Sequence, residues 1–466
     1  MVTPVSALLL LAQVQIPEPA WSWDVLVWDM SEPSTWIGAG HDYVEALTTP
    51  GGDLLVCAVT DAYTDSLKLF SSVDGGSSWA LRYMLTSSWT LDDPEMYVST
   101  SAGEDYLHIL LVSSGDGTSD VIIGLKLLLP YLKVIELIEI PWNQAGMDSL
   151  RSVTAAWDPV TGAHRLFADD DSGNLYMATS TDGLAWSDPA LLITNASRPV
   201  ADAGPGGRFH VAYQGTVIGD IHCATISGAG LVDAILGEGA PDACPCPAAE
   251  WTGGETVAVA WHDASGQVIL SVSEDHGSNW GTPAQAGSGA YPCIEVAQGS
   301  TSALMAYIDS GTGLVRVVSA PDLSSLPGGE GSVRGGVQPC PECPPVVCQG
   351  DLPTSQVLFY LGQEREDIWF DAALYTGIPD GETGGMRLEI SPNPSAGSFT
   401  ASYAIPPGGP AAALGIYSVD GRLVDSVLDS GDPEGAACFG GDLPAGVYIL
   451  RLSSGDASLS RRVVRL

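Results

Sequence analysis

The run "DDDSGN" sets Asp169, Asp170, Asp171 and Asn174 within six residues of each other. Clustered hard oxygens could hold a calcium ion, though no cofactor is expected. The same residue types build a polar hairpin turn, because Asp and Asn bond nearby backbone amides. The run lies between two apolar stretches, so a turn is the expected role. A second group is Cys340-x-x-Cys343 with Cys348 close behind, and Cys244 and Cys246 a hundred residues earlier. Thiolates at this spacing hold zinc when a fourth ligand joins them. No fourth ligand stands nearby, and in an exported chain such cysteines are expected as disulfides. The nine cysteines are odd in number, so at least one lacks an intrachain disulfide partner. His210 and His262 sit inside apolar runs and are expected to be core or channel-lining groups, not ligands. Trp21, Trp23, Trp28 and Trp36 offer faces for sugar rings or for strand packing. There is no Ser-His-Asp order, phosphate loop or zinc-protease helix.

The elements that must position these groups are strands. Gly 55 and Pro 32 are abundant, hydrophobic residues make up 45%, and Lys plus Arg total 17. That mix fits many short strands joined by turns. The net charge of -39 repels phosphate backbones, so nucleic acid is not an expected partner. The one long apolar stretch, 121–140, carries Lys126, Pro130, Lys133, Glu136 and Glu139 and reads as two strands, not a membrane span. Residues 1–19 resemble a secretory signal peptide, with a short apolar core from Val5 to Ala12 and no basic residues before it.

One turn is written three times. "SSVDGGSSW" (71–79), "STDGLAW" (180–186) and "SEDHGSNW" (273–280) each follow an alternating apolar segment. Alternation at period two is a strand, so each motif closes a hairpin. Asp74, Asp182 and Asp275 can accept turn amides, and Gly76, Gly183 and Gly277 permit the reversal. Trp79, Trp186 and Trp280 can pin the turn to the sheet, with Ser72, Ser180 and Ser273 bonding it from the other side. The pattern resembles the Asp box (BNR repeat) of sialidase-like β-propellers. The resemblance implies a structural role for these residues, away from the substrate face. Six apolar strands recur about every 45–57 residues: 54–61, 107–114, 164–171, 209–215, 257–263 and 302–309. These are expected as inner strands of six blades over 20–325. A seventh can be assembled from 23–30 and a strand near 357–375, closing the ring.

From 326 to 385 the chain turns Gly-, Pro- and Cys-rich and reads as a linker with connecting strands. Residues 386–466 read as a small immunoglobulin-like β-sandwich, with Asp420-Gly421 as a hairpin turn. This tail resembles the C-terminal sorting domain of the bacterial type IX secretion system. The resemblance rests on Asn393-Pro394, the run Tyr417 to Arg422, Leu443-Pro444-Ala445-Gly446-Val447-Tyr448 and the basic-apolar end. It implies export by that machinery and a place at the outer cell surface of a bacterium.

Sialidase-like enzymes bind a carboxylate with three arginines and use a tyrosine nucleophile beside a glutamate. Here the propeller offers Arg82, Arg151, Arg165, Arg198, Arg208 and Arg316, and the family's Arg-Ile-Pro is replaced by Gln15-Ile16-Pro17. The expected function is therefore a surface-displayed module binding glycan or protein. The alternatives are a glycoside hydrolase with displaced catalytic residues and a structural surface component. Fold alone does not choose among them.

Overall fold

The computed structural model describes residues 20–21, 25–29, 44–50, 53–60, 66–73, 79–87, 90–114, 120–142, 149–217, 219–228, 230–250, 255–296, 302–328, 330–334, 339–340, 345–349, 356–361, 367–374, 387–391, 398–405, 412–418, 423–430, 434–439, 443–444, 446–454 and 457–465. The expected signal peptide, Trp23, Trp36, Asp74, Gly76, Cys343, Asn393, Pro394, Asp420 and Gly421 lie outside them. The chain forms two compact units, Trp21–Leu374 and Tyr375–Leu466 with residues 1–20.

The larger unit is an all-β propeller built of antiparallel sheets. The first sheet runs Val44–Thr48, Leu54–Thr60, Ser66–Ser72, Ala80–Thr86. The second runs Thr90–Ser101, Glu104–Ser114, Val121–Leu128, Lys133–Pro141, so the apolar stretch at 121–140 is a strand pair. The third runs Leu150–Asp158, Ala163–Asp170, Asn174–Ser180, Ala190–Thr194, and the fourth Ala196–Gly204, Arg208–Gly215, Asp220–Ser227, Gly230–Glu238. Then Cys246–Ala249, Val257–His262, Gln267–Ser273 and Ala284–Val296 pair in order, and Ala284–Val296 continues into pairing with Ala303–Asp309, Val315–Ala320 and Glu330–Arg334. A last sheet joins Val346–Gln349, Gln356–Leu361 and Asp367–Leu374 to Val25–Asp29 from the start of the chain. The propeller unit thus continues past residue 325. Strands from the Gly/Pro/Cys-rich segment carry enough alternating apolar residues to pair. Among the described residues no helix is long and apolar enough to cross a membrane.

The strands that betray the repeat in the sequence are second from the inside in each sheet, not innermost. They are the most apolar because both their faces are covered; Val257–His262, for example, is buried throughout. The innermost strands precede them and are more polar, because one edge faces a channel. Those innermost strands touch in succession around a ring: Val44–Thr48, Thr90–Ser101, Leu150–Asp158, Ala196–Gly204, Cys246–Ala249, Ala284–Val296 and Val346–Gln349, which touches Val44–Thr48 again. The apolar cores fill the seams between neighbouring sheets. Leu110 and Ile122 meet Val153, Leu166 and Tyr176 in one seam, and Ala212 and Cys223 meet Val259 and Trp261 in another. Each fully buried Leu or Val contributes roughly 1.5–3 kcal/mol, so the ring is held by its seams.

The tryptophan-ending turns seal those seams from outside. Ser180 Oγ donates to Asp182 Oδ1 at 3.0 Å and accepts the Gly183 N–H at 2.9 Å, and Asp182 Oδ1 accepts the Leu184 and Ala185 amides at 2.9 and 2.8 Å. Ser273, Asp275 and Gly277 repeat the first two bonds at 2.8 and 2.9 Å, with Asn279 N donating to Asp275 at 2.7 Å. Gly183 and Gly277 take φ of 70° and 78°, which glycine adopts without a Cβ penalty. Trp79, Trp186 and Trp280 each pack against a seam core. In the first copy Ser72 is buried and ends its strand.

The smaller unit holds two sheets. Arg387–Ser391, Phe399–Ala404 and Glu434–Phe439 form one; Leu423–Ser430, Ala412–Ser418, Gly446–Ser454 and Ala457–Arg465 form the other. Leu388, Phe399 and Tyr403 from the first share a core with Leu414, Ile416, Leu450 and Val463 from the second. Tyr448 is buried there, and its hydroxyl donates to the Pro444 carbonyl at 2.9 Å.

Candidate functional site

Residues from all the propeller sheets converge on the channel. It encloses a cavity of about 1540 Å³. Four of the strands that line it carry a break in register: Asp92/Glu95, Leu150/Ser152, Ser197/Val200 and Ala290/Cys293. These are β-bulges, which re-aim side chains at a sheet end. At three of them the residue before a proline has left-handed φ: Asp93 at 53°, Arg198 at 55° and Tyr291 at 52°. A residue before proline ordinarily stays extended, so these are costly conformations that the surrounding ladder must enforce.

One repeated position, at four of the five places set by such a bulge, carries acidic, basic, thiol and aromatic side chains. Asp93, Arg151, Arg198, Cys244 and Tyr291 each stand two residues before the strand position facing Leu110, Ala168, Ala212, Ala260 and Ala306 respectively. The first four line the cavity. Tyr291 sits beside Pro292, which also lines it. Arg151 pairs with Asp171 at 2.6 Å, both half-exposed. Arg198 donates to the Ala243 carbonyl at 3.4 Å.

Most channel carboxylates have structural work. The inner edge of each innermost strand presents amides with no ladder partner, and buried amides must be bonded. A side chain from the preceding sheet supplies the acceptor. Asp93 accepts Val153 N–H at 2.5 Å, Asp169 accepts Arg198 N–H at 3.2 Å, and Asp202 accepts Ala249 N–H at 2.8 Å. Thr154 Oγ1 does the same for Ala201 at 3.1 Å, and Cys246 Sγ for Ile294 at 3.4 Å. Burial pushes the Asp202 carboxyl up to about 6 despite the two amides it accepts, and burial beside Asp202 also raises Glu295 well above its ordinary range.

At the Tyr291 side of the mouth three polar groups close on one another. The Tyr291 hydroxyl donates to Asp242 Oδ2 at 2.5 Å, and His262 Nε2 lies 3.3 Å from Asp242 Oδ1. The Tyr291 N–H donates to His262 Nδ1 at 3.3 Å. Nδ1 therefore accepts, and the imidazole is neutral with its proton on Nε2 toward Asp242. Burial lowers the His262 pKa although Asp242 pulls it upward. Burial raises Asp242, but the Tyr291 hydroxyl and His262 outweigh it and leave the carboxylate below its ordinary range. A tyrosine oxygen set against a carboxylate is a polar clamp for a hydroxyl-rich ligand, and it is also the pairing a tyrosine nucleophile needs.

The other sequence candidates divide between the channel and the rest of the propeller. Asp170 and Asn174 close the hairpin turn, with Asn174 N and Nδ2 donating to Asp170 at 2.8 and 3.1 Å. No group of three acidic, histidine or cysteine side chains that could hold a metal is present among the described residues. His210 is fully buried, bonds Thr225 Oγ1 at 3.1 Å, and is pushed down to about 3 by burial. Cys340 and Cys348 are buried in the seam core, while Cys244 and Cys246 line the channel. Of the six arginines only Arg151 and Arg198 reach the cavity. Arg165 lies over the Phe209 ring, and Arg82, Arg208 and Arg316 bond Ser71, Pro205 and Asp309. Three arginines are not brought together there. Sequence reasoning missed Tyr291 and Asp242; the available signal was the proline that opens the innermost strands, at Pro94, Pro199, Pro245, Pro292 and Pro345.

The chain matches no protein-family model and no curated protein. Among solved structures it is similar to the BP39L lectin from Burkholderia pseudomallei, with a TM-score of 0.54 and 14% identity over 72% of this chain and 98% of that one. It also overlays, more loosely, on a six-bladed lectin from Aleuria aurantia described as having a novel fucose recognition mode (TM-score 0.40, 12% identity, 62% and 93% covered). A Hadza microbial sialidase gives a TM-score of 0.42 at 12% identity, with 73% and 65% covered. At these identities the first likeness speaks to the propeller fold alone.

Proposed function

We propose that the propeller is a recognition module whose ligand, a glycan, is taken at the channel mouth around Arg198, Tyr291 and Asp242. One observation carries this reading. A single repeat position holds four kinds of side chain in five sheets, and three of the five residues stand in strained conformations. A purely structural repeat has no need of that variety. Polar clamps with an aromatic face suit sugar hydroxyls. Tenfold or greater loss of affinity is expected from Arg198→Ala and from Tyr291→Phe in the full chain, measured by calorimetry with the best ligand from a glycan array. Unchanged affinity in both variants would sink the assignment of the mouth. The hydrolase alternative is favoured by the Tyr291–Asp242 pair at 2.5 Å. Turnover of a fluorogenic glycoside that Tyr291→Phe abolishes would establish it instead.

Two finer readings accompany this one. The closed succession of innermost strands supports seven blades of sialidase-like, Asp-box type, with Val25–Asp29 closing the last. The two sheets with one core and the Tyr448 to Pro444 bond support an immunoglobulin-like sandwich for the tail. We read that tail as a type IX sorting domain, which makes the protein an exported one displayed at a bacterial surface. Removing residues 386–466 in a host with that machinery is expected to leave the propeller in the cell. Undiminished export of the truncated chain would rule the sorting role out.

A further inference from the structure

Cys246 and Cys293 occupy the same register place on two neighbouring innermost strands, opposite Ala260 and Ala306. The two strands touch, and both cysteines line the channel cavity. Cys246 Sγ accepts the N–H of Ile294, the residue after Cys293, at 3.4 Å, and lies 3.7 Å from the Ile294 carbonyl. Tyr291, at the mouth, is two residues upstream of Cys293.

We propose that Cys246 and Cys293 are a disulfide site that staples two adjacent sheets of the propeller across the channel wall. The place matters because Ala284–Val296 is a single strand serving two sheets. A bond there ties its second half back to the sheet that its first half completes. The oxidant is a small soluble disulfide of the glutathione class, and the open cavity admits it. One cysteine thiolate attacks a sulfur of that disulfide, giving a mixed disulfide and releasing one small thiolate. The second cysteine thiolate then attacks the protein-bound sulfur, forming the Cys246–Cys293 bond and releasing the other. The two protein thiols give up two protons and two electrons, and the small disulfide leaves as two thiols. The hydrogen bond with Cys293 and burial hold the Cys246 thiol well above its ordinary range, so exchange accelerates as pH rises.

The test uses the full chain, reduced, then equilibrated with oxidised glutathione at alkaline pH, alkylated, digested and read by mass spectrometry. The expected product is a cross-linked peptide pair joining Cys246 to Cys293, absent from Cys246→Ser and Cys293→Ser. The oxidised parent is expected to melt ~5 °C or more above the reduced parent, with no such difference in either variant. Cys293 joined to Cys348, Cys246 joined to Cys244, or both thiols recovered only alkylated or as glutathione adducts overturns the assignment. So does a parent midpoint indifferent to reductant. The peptide result is read on the parent chain and stands even if a variant fails to fold.

Discussion

Gly277→Ala is expected to destabilise the propeller by about 2–5 kcal/mol, and Gly183→Ala by a similar amount. A Cβ at Gly277 would lie 2.2 Å from Thr225 Oγ1 and 3.4 Å from His210 Nδ1; one at Gly183 would lie 2.3 Å from His108 Cε1. Those partners are buried in the neighbouring sheet, and Thr225 and His210 are bonded to each other, so neither yields without loss. The left-handed backbone costs an L-residue about 1–2 kcal/mol, and overpacking adds roughly 1–3 kcal/mol. Gly162 separates the two terms. Its φ is 70°, yet nothing lies within 4 Å of its Cβ position, so Gly162→Ala should lose only the backbone term. Chemical denaturation of the three variants decides the matter. Equal losses at Gly162 and Gly277 would mean that the turn glycines are not pressed against the adjoining sheet.

The second large effect is on pH dependence. Burial holds the Asp202 carboxyl at about 6, against an ordinary 3.8. The folded protein thus binds this proton more tightly than the unfolded chain. Protonation favours the fold, and stability from this group falls as pH rises from about 4 to about 6, then levels off. Two pH units of difference correspond to about 3 kcal/mol. Glu295, also raised, acts with the same sign. Asp182, Asp242, Asp263, Asp275 and Asp309 are lowered and act oppositely, losing their contribution only as pH falls below their ordinary range. Asp202→Asn is therefore expected to flatten the stability profile between pH 4 and 6.5, whatever constant offset follows from the altered bond to Ala249. Unfolding free energies across that window would settle it; parallel profiles for parent and variant would show that Asp202 does not titrate with the fold.

Much of the architecture is legible because it is local. Period-two alternation marks 173–180 and 266–273 as strands before any partner is known. The Ser, Asp and Gly of the repeated turn announce their hydrogen bonds by residue type alone. The strand pair in 121–140 follows from charges that no membrane span would tolerate. The innermost strands were less visible. Cys246–Ala249 has four residues, two of them alanine, and its pattern is set by a channel edge that exists only once the ring is closed. The two-sheet tail is legible for the same local reason as the propeller strands: Phe399, Ala401 and Tyr403 alternate and are buried on one face.

The candidate site was legible only in its parts. Arg151, Arg198 and His262 stood out as chemistry-bearing residues, but their fates depend on partners far along the chain. Tyr291 meets Asp242 across 49 residues and His262 across 29, distances at which turn and strand rules say nothing. Of the carboxylates that looked like candidate ligands, Asp169 accepts an orphan amide of the next sheet, at Arg198, a need that arises from the ring itself. The strands, their hairpins and the turn that recurs follow from residue type along the chain, since backbone preference and side-chain alternation act within a few residues. Only the tertiary structure decided which side chains share the channel, which of them are consumed in bonding its walls and which stand over its mouth, because burial and hydrogen-bond satisfaction are settled between sheets and not along a strand.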